Sequence, residues 1–273
     1  FNPRAGVSYT LAERNNFYLS FAVAQKEPTR SDFTDRYKFA ADDTYPSSEK
    51  LYDWELGYQY TAPRLSLGVN LYYMKYKDQL VPTGMVNDDS NALNTNVPDS
   101  YRRGVELSAS WRATGWFTVG ANATFSQNRI ENYVDALKDS PTYGKELGDM
   151  TIAYSPDVIA NAFLNFHHRG FEAVFHTQHV GKQYFTNNEN DALSLDAYCV
   201  TNLNLAYTFR TRSARSVRLG LLINNLFNAE YESNGYGYSY MDTWSGPAPV
   251  RIDEAYYFPQ APLNVLANVT VKF

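Results

Sequence analysis

The 273-residue sequence has a single cysteine, Cys199, and no apolar run close to the roughly 18 residues of a transmembrane helix. The lone cysteine excludes an internal disulfide and any metal site built from several cysteines. We interpret it as a small buried or lipid-facing strand residue. The sequence also lacks a Lys/Arg-rich run, and its formal net charge is −5. Both features argue against a nucleic-acid partner.

Aromatic residues, in contrast, are abundant. They make up 16% of the chain, and 23 of them are tyrosines. Tyrosine combines an apolar ring with a polar hydroxyl, so it suits a boundary between lipid and water. Outer-membrane barrels carry aromatic girdles at both rims. A tyrosine-rich, soluble carbohydrate-binding β-sandwich is the alternative that this composition leaves open.

The alternation of apolar and polar residues predicts strands, and it is clearest at the end of the chain. From Leu263 to Phe273 every second residue is apolar, and most residues between them are polar. A period of two places these sets on opposite faces of a strand. The pattern recurs about eleven times, and no segment shows a convincing helical apolar stripe. The predicted strands cover residues 4–11, 17–25, 53–60, 65–73, 104–112, 117–126, 157–168, 171–184, 195–210, 216–229 and 263–273.

The connections alternate between short turns and long polar segments. Greek-key sandwiches do not alternate in this way. Outer-membrane barrels do, because tight periplasmic turns and long extracellular loops lie at opposite rims. We therefore predict an all-β, transmembrane antiparallel β-barrel with its carboxyl terminus on the periplasmic side. Val69, Leu107 and Val269 are expected to face lipid, and Asn70 and Glu106 to face the lumen.

Several ordered motifs resemble those of TonB-dependent outer-membrane receptors. They include the strand end 222–231, the tyrosine-rich segment 236–240 and the segment 257–262 before the final strand. Earlier motifs in the same order are Asn2-Pro-Arg-Ala-Gly6, Lys26-Glu-Pro-Thr-Arg30, Glu55-Leu-Gly-Tyr58, Tyr72-Tyr-Met-Lys-Tyr-Lys-Asp-Gln-Leu80 and Ser100-Tyr-Arg-Arg-Gly-Val-Glu106. The aromatic last residue is similar to the assembly signal of such barrels, although Asn268 stands where that signal often has glycine.

This resemblance implies that residues 1–273 are the carboxyl-terminal half of a 22-stranded plugged barrel. The plug domain and the first half of the barrel are then absent, in keeping with an odd strand count and a start at Phe1-Asn-Pro-Arg. The implied location is the outer membrane of a Gram-negative bacterium. The implied function is active import of an iron-siderophore, haem or cobalamin. Import of a glycan or peptide is the alternative within the family, and a passive porin is one outside it.

The expected partners are outer-membrane lipid, the TonB complex through the missing plug, a small-molecule chelate and a surface lipoprotein. No nucleic-acid partner and no cofactor are expected. We also predict that the chain is not an enzyme, because no nucleophile, base and orienting group form a recognisable hydrolase arrangement.

The candidate ligand residues are aromatic side chains of one long segment, where rings can stack on a ligand and hydroxyls can hydrogen-bond to it. They are Tyr236, Tyr238, Tyr240, Trp244, Tyr256 and Tyr257. An outer aromatic girdle is the alternative role for these residues.

No metal site is predicted. His167 and His168 flank a short turn, and His176 and His179, three residues apart, are expected on opposite faces of a strand. The acidic loop residues are interpreted as solvated charge rather than as Ca²⁺ ligands. They are Asp42, Asp43, Asp88, Asp89, Asp135, Asp139, Glu146 and Asp149.

Overall fold

The computed structural model describes residues 2–34, 45–87 and 91–273. It is built almost entirely of strands, with one short helix, α1 (Arg30–Thr34), and a 3-10 helix at Asp191–Leu193. Over these ranges, no helix is long and apolar enough to cross a membrane. The strands are β1 (Arg4–Leu11), β2 (Asn15–Lys26), β3 (Glu49–Thr61), β4 (Leu65–Val86), β5 (Ala92–Arg112), β6 (Phe117–Ile130), β7 (Met150–Thr151), β8 (Val158–His168), β9 (Phe171–Val180), β10 (Gln183–Tyr184), β11 (Ser194–Leu195), β12 (Tyr198–Phe209), β13 (Ser216–Asn224), β14 (Glu232–Asp242), β15 (Val250–Pro259) and β16 (Asn264–Lys272).

One large sheet organises the chain. Eleven strands follow one another in the order β1-β2-β3-β4-β5-β6-β8-β9-β12-β13-β16, and the short β7 adds to β6. Every pairing along this path is antiparallel. The described part of β1 pairs only with β2, and that of β16 only with β13, so this sheet is open at both edges. The prediction of about eleven antiparallel strands is confirmed.

The two faces of this sheet differ in polarity as predicted. Val69, Leu107 and Val269 are 38%, 41% and 65% exposed, so none of them is packed in a closed interior. Val69 pairs with Leu107 across β4 and β5, and Asn70 pairs with Glu106 on the opposite face. The amide of Asn70 donates a hydrogen bond to the carboxylate of Glu106 at 3.2 Å. The sheet therefore has one mainly apolar face and one polar face.

Cys199 and the histidines also lie where the pattern predicts. Cys199 is a free, exposed cysteine that pairs with His179, and His179 pairs with Ala160. His176 instead pairs with Phe163, on the polar face. Strand β8 ends at His168, directly before the turn at Arg169 and Gly170.

Two glycines on the polar face make room for large neighbours. A Cβ atom at Gly57 would lie 2.0 Å from the ring of Tyr18, and one at Gly120 would lie 2.3 Å from the ring of Phe163. Both distances are far below van der Waals contact, so each ring lies flat over its glycine. Asn268 lies similarly over Gly220.

The short connections form one rim of the sheet, the short-turn rim, at residues 12–14, 62–64, 113–116, 169–170 and 210–215. The long connections form the opposite, long-loop rim. Two of these long segments are more ordered than predicted: residues 79–86 and 92–100 continue β4 and β5 as a paired antiparallel ribbon, and 230–261 contains the hairpin β14–β15. Their polar composition had indicated loops, but both are antiparallel ribbons that extend beyond the main sheet.

Two small apolar clusters hold these hairpins together. One contains Val81, Val97, Ile130, Tyr133 and Ile152, and the other contains Phe185, Leu193 and Leu195. Asn187, which is 0% exposed, links the segments around Pro82 and Ala153 by hydrogen bonds. Its side chain donates a hydrogen bond to the carbonyl oxygen of Pro82 and accepts one from the backbone N–H of Ala153, both at 2.7 Å. The long-loop rim is therefore a packed structure with its own core.

Candidate ligand site at the long-loop rim

The hairpin β14–β15 places most of the candidate aromatic residues on one face. Tyr236 pairs directly with Tyr256, and Tyr238 with Glu254. Because side chains alternate between faces, Tyr236, Tyr238 and Tyr240 share the face that carries Tyr256 and Glu254. The segment Tyr236-Gly-Tyr-Ser-Tyr240 has a period of two, so the alternation could have identified this strand from the sequence.

The rings of this face form a stacked row. The centroids of Tyr236 and Tyr256 are 4.9 Å apart with an interplanar angle of 14°. Tyr238 stacks on Tyr256 at 6.4 Å, and Trp244 stacks on Tyr240 at 6.3 Å with an angle of 3°. Such contacts add to the area that the rings bury. Five of the six candidate residues are thus brought together in one aromatic row.

Glu254 lies at the centre of this row and was missed by the sequence analysis. Its carboxylate accepts hydrogen bonds from the hydroxyls of Tyr238 at 2.7 Å, Tyr256 at 2.8 Å and Tyr240 at 3.3 Å. These bonds favour the ionised form, so those from Tyr238 and Tyr256 hold the pKa of Glu254 below its usual value. The bond to Glu254 in turn raises the pKa of Tyr238 well above its usual range. The row therefore carries one negative charge, on a carboxylate that accepts hydrogen bonds from three tyrosine hydroxyls.

The opposite face of the hairpin fixes it to the long-loop rim. A Cβ atom at Gly237 would lie 2.8 Å from Leu193 and 2.9 Å from both Phe185 and the backbone oxygen of Glu254. The sixth candidate, Tyr257, lies on this face, with its ring 5.8 Å from that of Phe185. The structure therefore separates Tyr257 from the other five candidates and gives it a packing contact.

A cavity of about 510 Å³ lies between the aromatic row and the tip of the β4–β5 hairpin. Tyr236, Tyr238 and Tyr256 line one side, and Pro82, Met85 and other residues of β4 and β5 line the other. Its volume is within the range of small-molecule sites, which are mostly apolar with a few placed polar groups.

Tyr154 connects this cavity with the polar face of the sheet. It borders the outer cavity, and it also borders a second cavity of about 360 Å³, together with Tyr72, Arg102 and Glu106. The backbone of Tyr154 has a φ of 54°, in the left-handed region that is uncommon for non-glycine residues. Its ring is 5.8 Å from that of Phe185. Tyr154 is thus the residue that the linings of the two cavities share.

The acidic residues considered as Ca²⁺ ligands do not converge in the part of the chain that the structure describes, where no group of three His, Cys, Asp or Glu side chains is arranged to hold a metal. Asp135 accepts hydrogen bonds from Ser140 and Thr142, and Asp149 accepts one from the backbone of Asn132. Asp42, Asp43, Asp88 and Asp89 lie outside the described residues.

Comparison with solved structures identifies the fold. The ferric yersiniabactin uptake receptor FyuA from Yersinia pestis matches with a TM-score of 0.68 and 19% identity, over 99% of this chain and 37% of its own. The ferric-catecholate import receptor Fiu from E. coli matches with a TM-score of 0.65 and 20% identity, over 97% of this chain and 34% of its own. The copper transporter OprC matches with a TM-score of 0.70 and 19% identity, over 97% of this chain and 38% of its own. The chain therefore spans little more than a third of the length of these proteins.

A family model described as "TonB dependent receptor-like, beta-barrel" matches residues 1–226. The open sheet is thus a fragment of a transmembrane barrel, with its apolar face toward lipid and its polar face toward the lumen. The chain belongs to the family of TonB-dependent receptor β-barrels, which lie in the outer membrane of Gram-negative bacteria.

Proposed function

We propose that residues 1–273 are the carboxyl-terminal half of the barrel of a TonB-dependent importer that takes up a scarce small-molecule chelate. Family membership supports this function class, and the tyrosine-lined cavity of about 510 Å³ supports a small-molecule substrate. A 22-stranded barrel with a plug would be completed by the amino-terminal part of the whole protein. The TonB complex would act through that plug, and a surface lipoprotein is a further partner under this proposal.

The substrate class that the site favours is an iron-siderophore, haem or cobalamin. Stacked tyrosines offer flat π surfaces to a ligand with aromatic rings, and they lose little side-chain entropy on binding. Two of the similar structures are receptors for ferric chelates, and a third is a copper transporter. Tyrosine rings also stack on sugars, so a glycan importer is the second candidate.

The proposed route begins at the outer cavity and continues past Tyr154 to the cavity on the lumenal face. The lumenal wall along this route is polar and hydrogen-bonded, as in the pair formed by Asn70 and Glu106. A hydrated chelate can pass such a wall without losing its hydrogen bonds. No covalent bond is made or broken, so the protein acts as a transporter rather than as an enzyme.

The test is substrate binding and uptake by the intact receptor in a strain that lacks its other iron receptors. We expect cell-associated ⁵⁵Fe-siderophore to accumulate, and an uncoupler of the proton gradient to abolish accumulation. The double substitution Y236A/Y256A removes one stacked pair together with its ligand contacts. It is expected to weaken binding about ten-fold or more, since each ring that stacks on an aromatic ligand contributes about 0.5–1.5 kcal/mol and both rings are lost.

The matched control is Y9A, which removes an exposed tyrosine from β1 on the main sheet. Uptake that persists without the proton gradient would identify a passive porin. Uptake of an oligosaccharide in place of all iron chelates would favour the glycan importer. Unchanged affinity in Y236A/Y256A would show that the substrate binds elsewhere in the barrel.

A further inference from the structure

Four cationic side chains converge on one cavity at the short-turn rim, far from the aromatic row. The cavity has a volume of about 680 Å³. Arg169 comes from the β8–β9 turn, Arg210 and Arg215 come from the two ends of the β12–β13 connection, and Lys272 is the last residue of β16. All four are exposed. The lining contains no Asp or Glu side chain; its other members are Gly170, Thr208, Phe209, Ser216 and Phe273.

The order of the strands brings these residues together. Strands β9, β12, β13 and β16 are consecutive neighbours in the sheet, so their ends meet at the same rim. The backbone N–H of Thr208 donates a hydrogen bond to the carbonyl oxygen of Gly170 at 2.8 Å, and Ser216 pairs with Lys272. Residues that are up to 104 positions apart in the sequence therefore border one cavity.

The charges of this cluster form no ion pair within the described chain, although the carboxyl-terminal residue, Phe273, borders the same cavity. None of the four side chains lies within ion-pair distance of a described carboxylate. Glu172, two residues after Gly170, is already engaged by Arg218 through two hydrogen bonds of 3.0 and 2.7 Å. Clustered like charges raise the local positive potential and attract an anion. The cavity is therefore suited to an anionic group from outside the chain.

Aromatic residues on the lipid-facing side lie directly beside this cluster. Tyr207 stacks on Phe209 with ring centroids 5.9 Å apart, and Tyr207 pairs with Phe171 on β9. Tyr207 and Phe171 are exposed, as expected for an aromatic belt at the membrane–water boundary. Arg210 follows Phe209, the last residue of β12, so it lies in the connection beyond the strand rather than on one of its faces. A position just past an aromatic belt is at the level of the lipid headgroups, outside the hydrocarbon layer.

We propose that this cavity binds the phosphate headgroup of an anionic phospholipid, of the phosphatidylglycerol or cardiolipin type. The four cations hold the phosphate, and the aromatic belt formed by Phe171, Tyr207 and Phe209 contacts the acyl chains. Basic pockets beside membrane-spanning segments bind such headgroups by the same combination of charge and apolar contact. In the predicted orientation the short-turn rim faces the periplasm, and the bound lipid belongs to the inner leaflet.

The test measures lipid binding by the purified intact protein in nanodiscs, with phosphatidylglycerol titrated into phosphatidylcholine and retention read by native mass spectrometry. The variant R210Q/R215Q removes two of the four charges and keeps side chains of similar length. Each charge near a membrane surface changes anionic lipid affinity about five-fold, so we expect a loss of about twenty-fold or more.

The matched control is R64Q/R112Q, which removes two charges elsewhere on the same rim. Arg64 lies in the β3–β4 turn, Arg112 is the last residue of β5, and the N–H of Arg112 donates a hydrogen bond to the carbonyl oxygen of Arg64 at 2.8 Å. It is expected to change affinity less than two-fold. Equal losses in both double variants would overturn the proposal, because lipid affinity would then depend on the surface charge of the rim in general and not on this cavity. Equal retention of phosphatidylcholine and phosphatidylglycerol would also overturn it.

A third experiment distinguishes binding of a phospholipid from binding of a free anion. Inorganic phosphate at matched phosphorus concentration is expected not to displace phosphatidylglycerol. Displacement would identify a free-phosphate site and would overturn the lipid assignment. If R210Q/R215Q does not assemble, K272Q is measured alone in the same titration. A loss of about five-fold is then expected, and an unchanged affinity would count against the site.

Discussion

The side-chain amide of Asn187 donates a hydrogen bond to the carbonyl oxygen of Pro82 across 105 positions of sequence, at 2.7 Å. Pro82 lines the outer cavity. Phe185, which also lines this cavity, precedes Asn187 by two residues. Since the oxygen of Asn187 also accepts the N–H of Ala153, one buried side chain connects three segments of the long-loop rim. The shape of the candidate site therefore depends on a residue that does not line it.

We expect N187L to loosen the outer cavity while leaving the barrel assembled. The substitution leaves the carbonyl of Pro82 and the N–H of Ala153 without partners in a buried place, at a cost of about 1–3 kcal/mol for each group. Hydrogen exchange should rise in residues 80–97 and 183–195 and stay unchanged in β1 to β3. N91L, which alters an exposed asparagine near the tip of the β4–β5 hairpin, is the control. Unchanged exchange in N187L would contradict the connecting role.

Packing of the hairpin on Phe185 gives a second prediction. The side chain introduced by G237V would meet Leu193, Phe185 and the backbone of Glu254 at under 3 Å, so the hairpin must move away from the rim. We expect substrate binding to fall at least ten-fold with normal amounts of assembled protein. G246A, in the tip of the same hairpin, meets no atom closer than 4.0 Å and should bind normally. Equal binding in the two variants would show that the position of the hairpin is irrelevant to the site.

The charge of Glu254 gives a pH dependence of defined sign. Hydrogen bonds from Tyr238 and Tyr256 lower the pKa of this carboxylate, so its contribution to the hairpin is fully present above the usual value of 4.5. It is lost as the pH falls through the lower pKa of the folded state. The fluorescence of Trp244 is obtained by subtracting the signal of the W244F variant from that of the native protein. This fluorescence should change below about pH 4.5 in the native protein. The variant E254Q should lack that transition.

The control for this titration is D139N, which neutralises an exposed carboxylate in the 131–149 segment. It should keep the acid transition of the native protein. A transition that survives in E254Q would assign the pH response to another group, such as Asp242 beside Trp244.

The assignment of the apolar face to lipid and of the polar face to the lumen can be tested by substitution. Leu107 lies in β5, five residues before its end at Arg112, and faces lipid, so L107R places a charge in the hydrocarbon layer at a cost of about 2–4 kcal/mol. Urea unfolding in lipid vesicles should show this loss. E106Q, one residue away on the lumenal face, should change stability by much less. A larger loss in E106Q than in L107R would mean that the two faces had been assigned in reverse.

The strands of the membrane-spanning sheet could be predicted because their two faces meet different solvents. Leu107 and Glu106 show this directly, and the alternation places each on its correct face. Strand β9 was the least clear, because its lumenal face includes Val174 while its lipid face includes Thr177 and His179. A small apolar residue is tolerated in the lumen, so the alternation weakens there without any change in fold.

Outside the membrane-spanning part of the sheet, the alternation of apolar and polar residues does not predict the strands. Residues 92–97 were interpreted as a loop because they are rich in asparagine, yet they form a ribbon with β4, where neither face meets lipid. Glu254 was missed for a related reason. Its role depends on the register that sets it opposite Tyr238, and no single-strand pattern reveals a register between two strands. The alternation of Tyr236, Tyr238 and Tyr240 is visible in the sequence, but these residues were grouped only because they lie in one aromatic-rich segment.

Tyr18 and Phe163 each lie flat on a glycine of the adjacent strand. A ring in that position adds only a shallow layer to the polar face of the sheet at these two levels. A side chain at position 57 or 120 would meet the ring at about 2 Å and push it away from the sheet. These two glycines thus set how far the aromatic rings stand out from the polar face, although neither contributes a side chain to it.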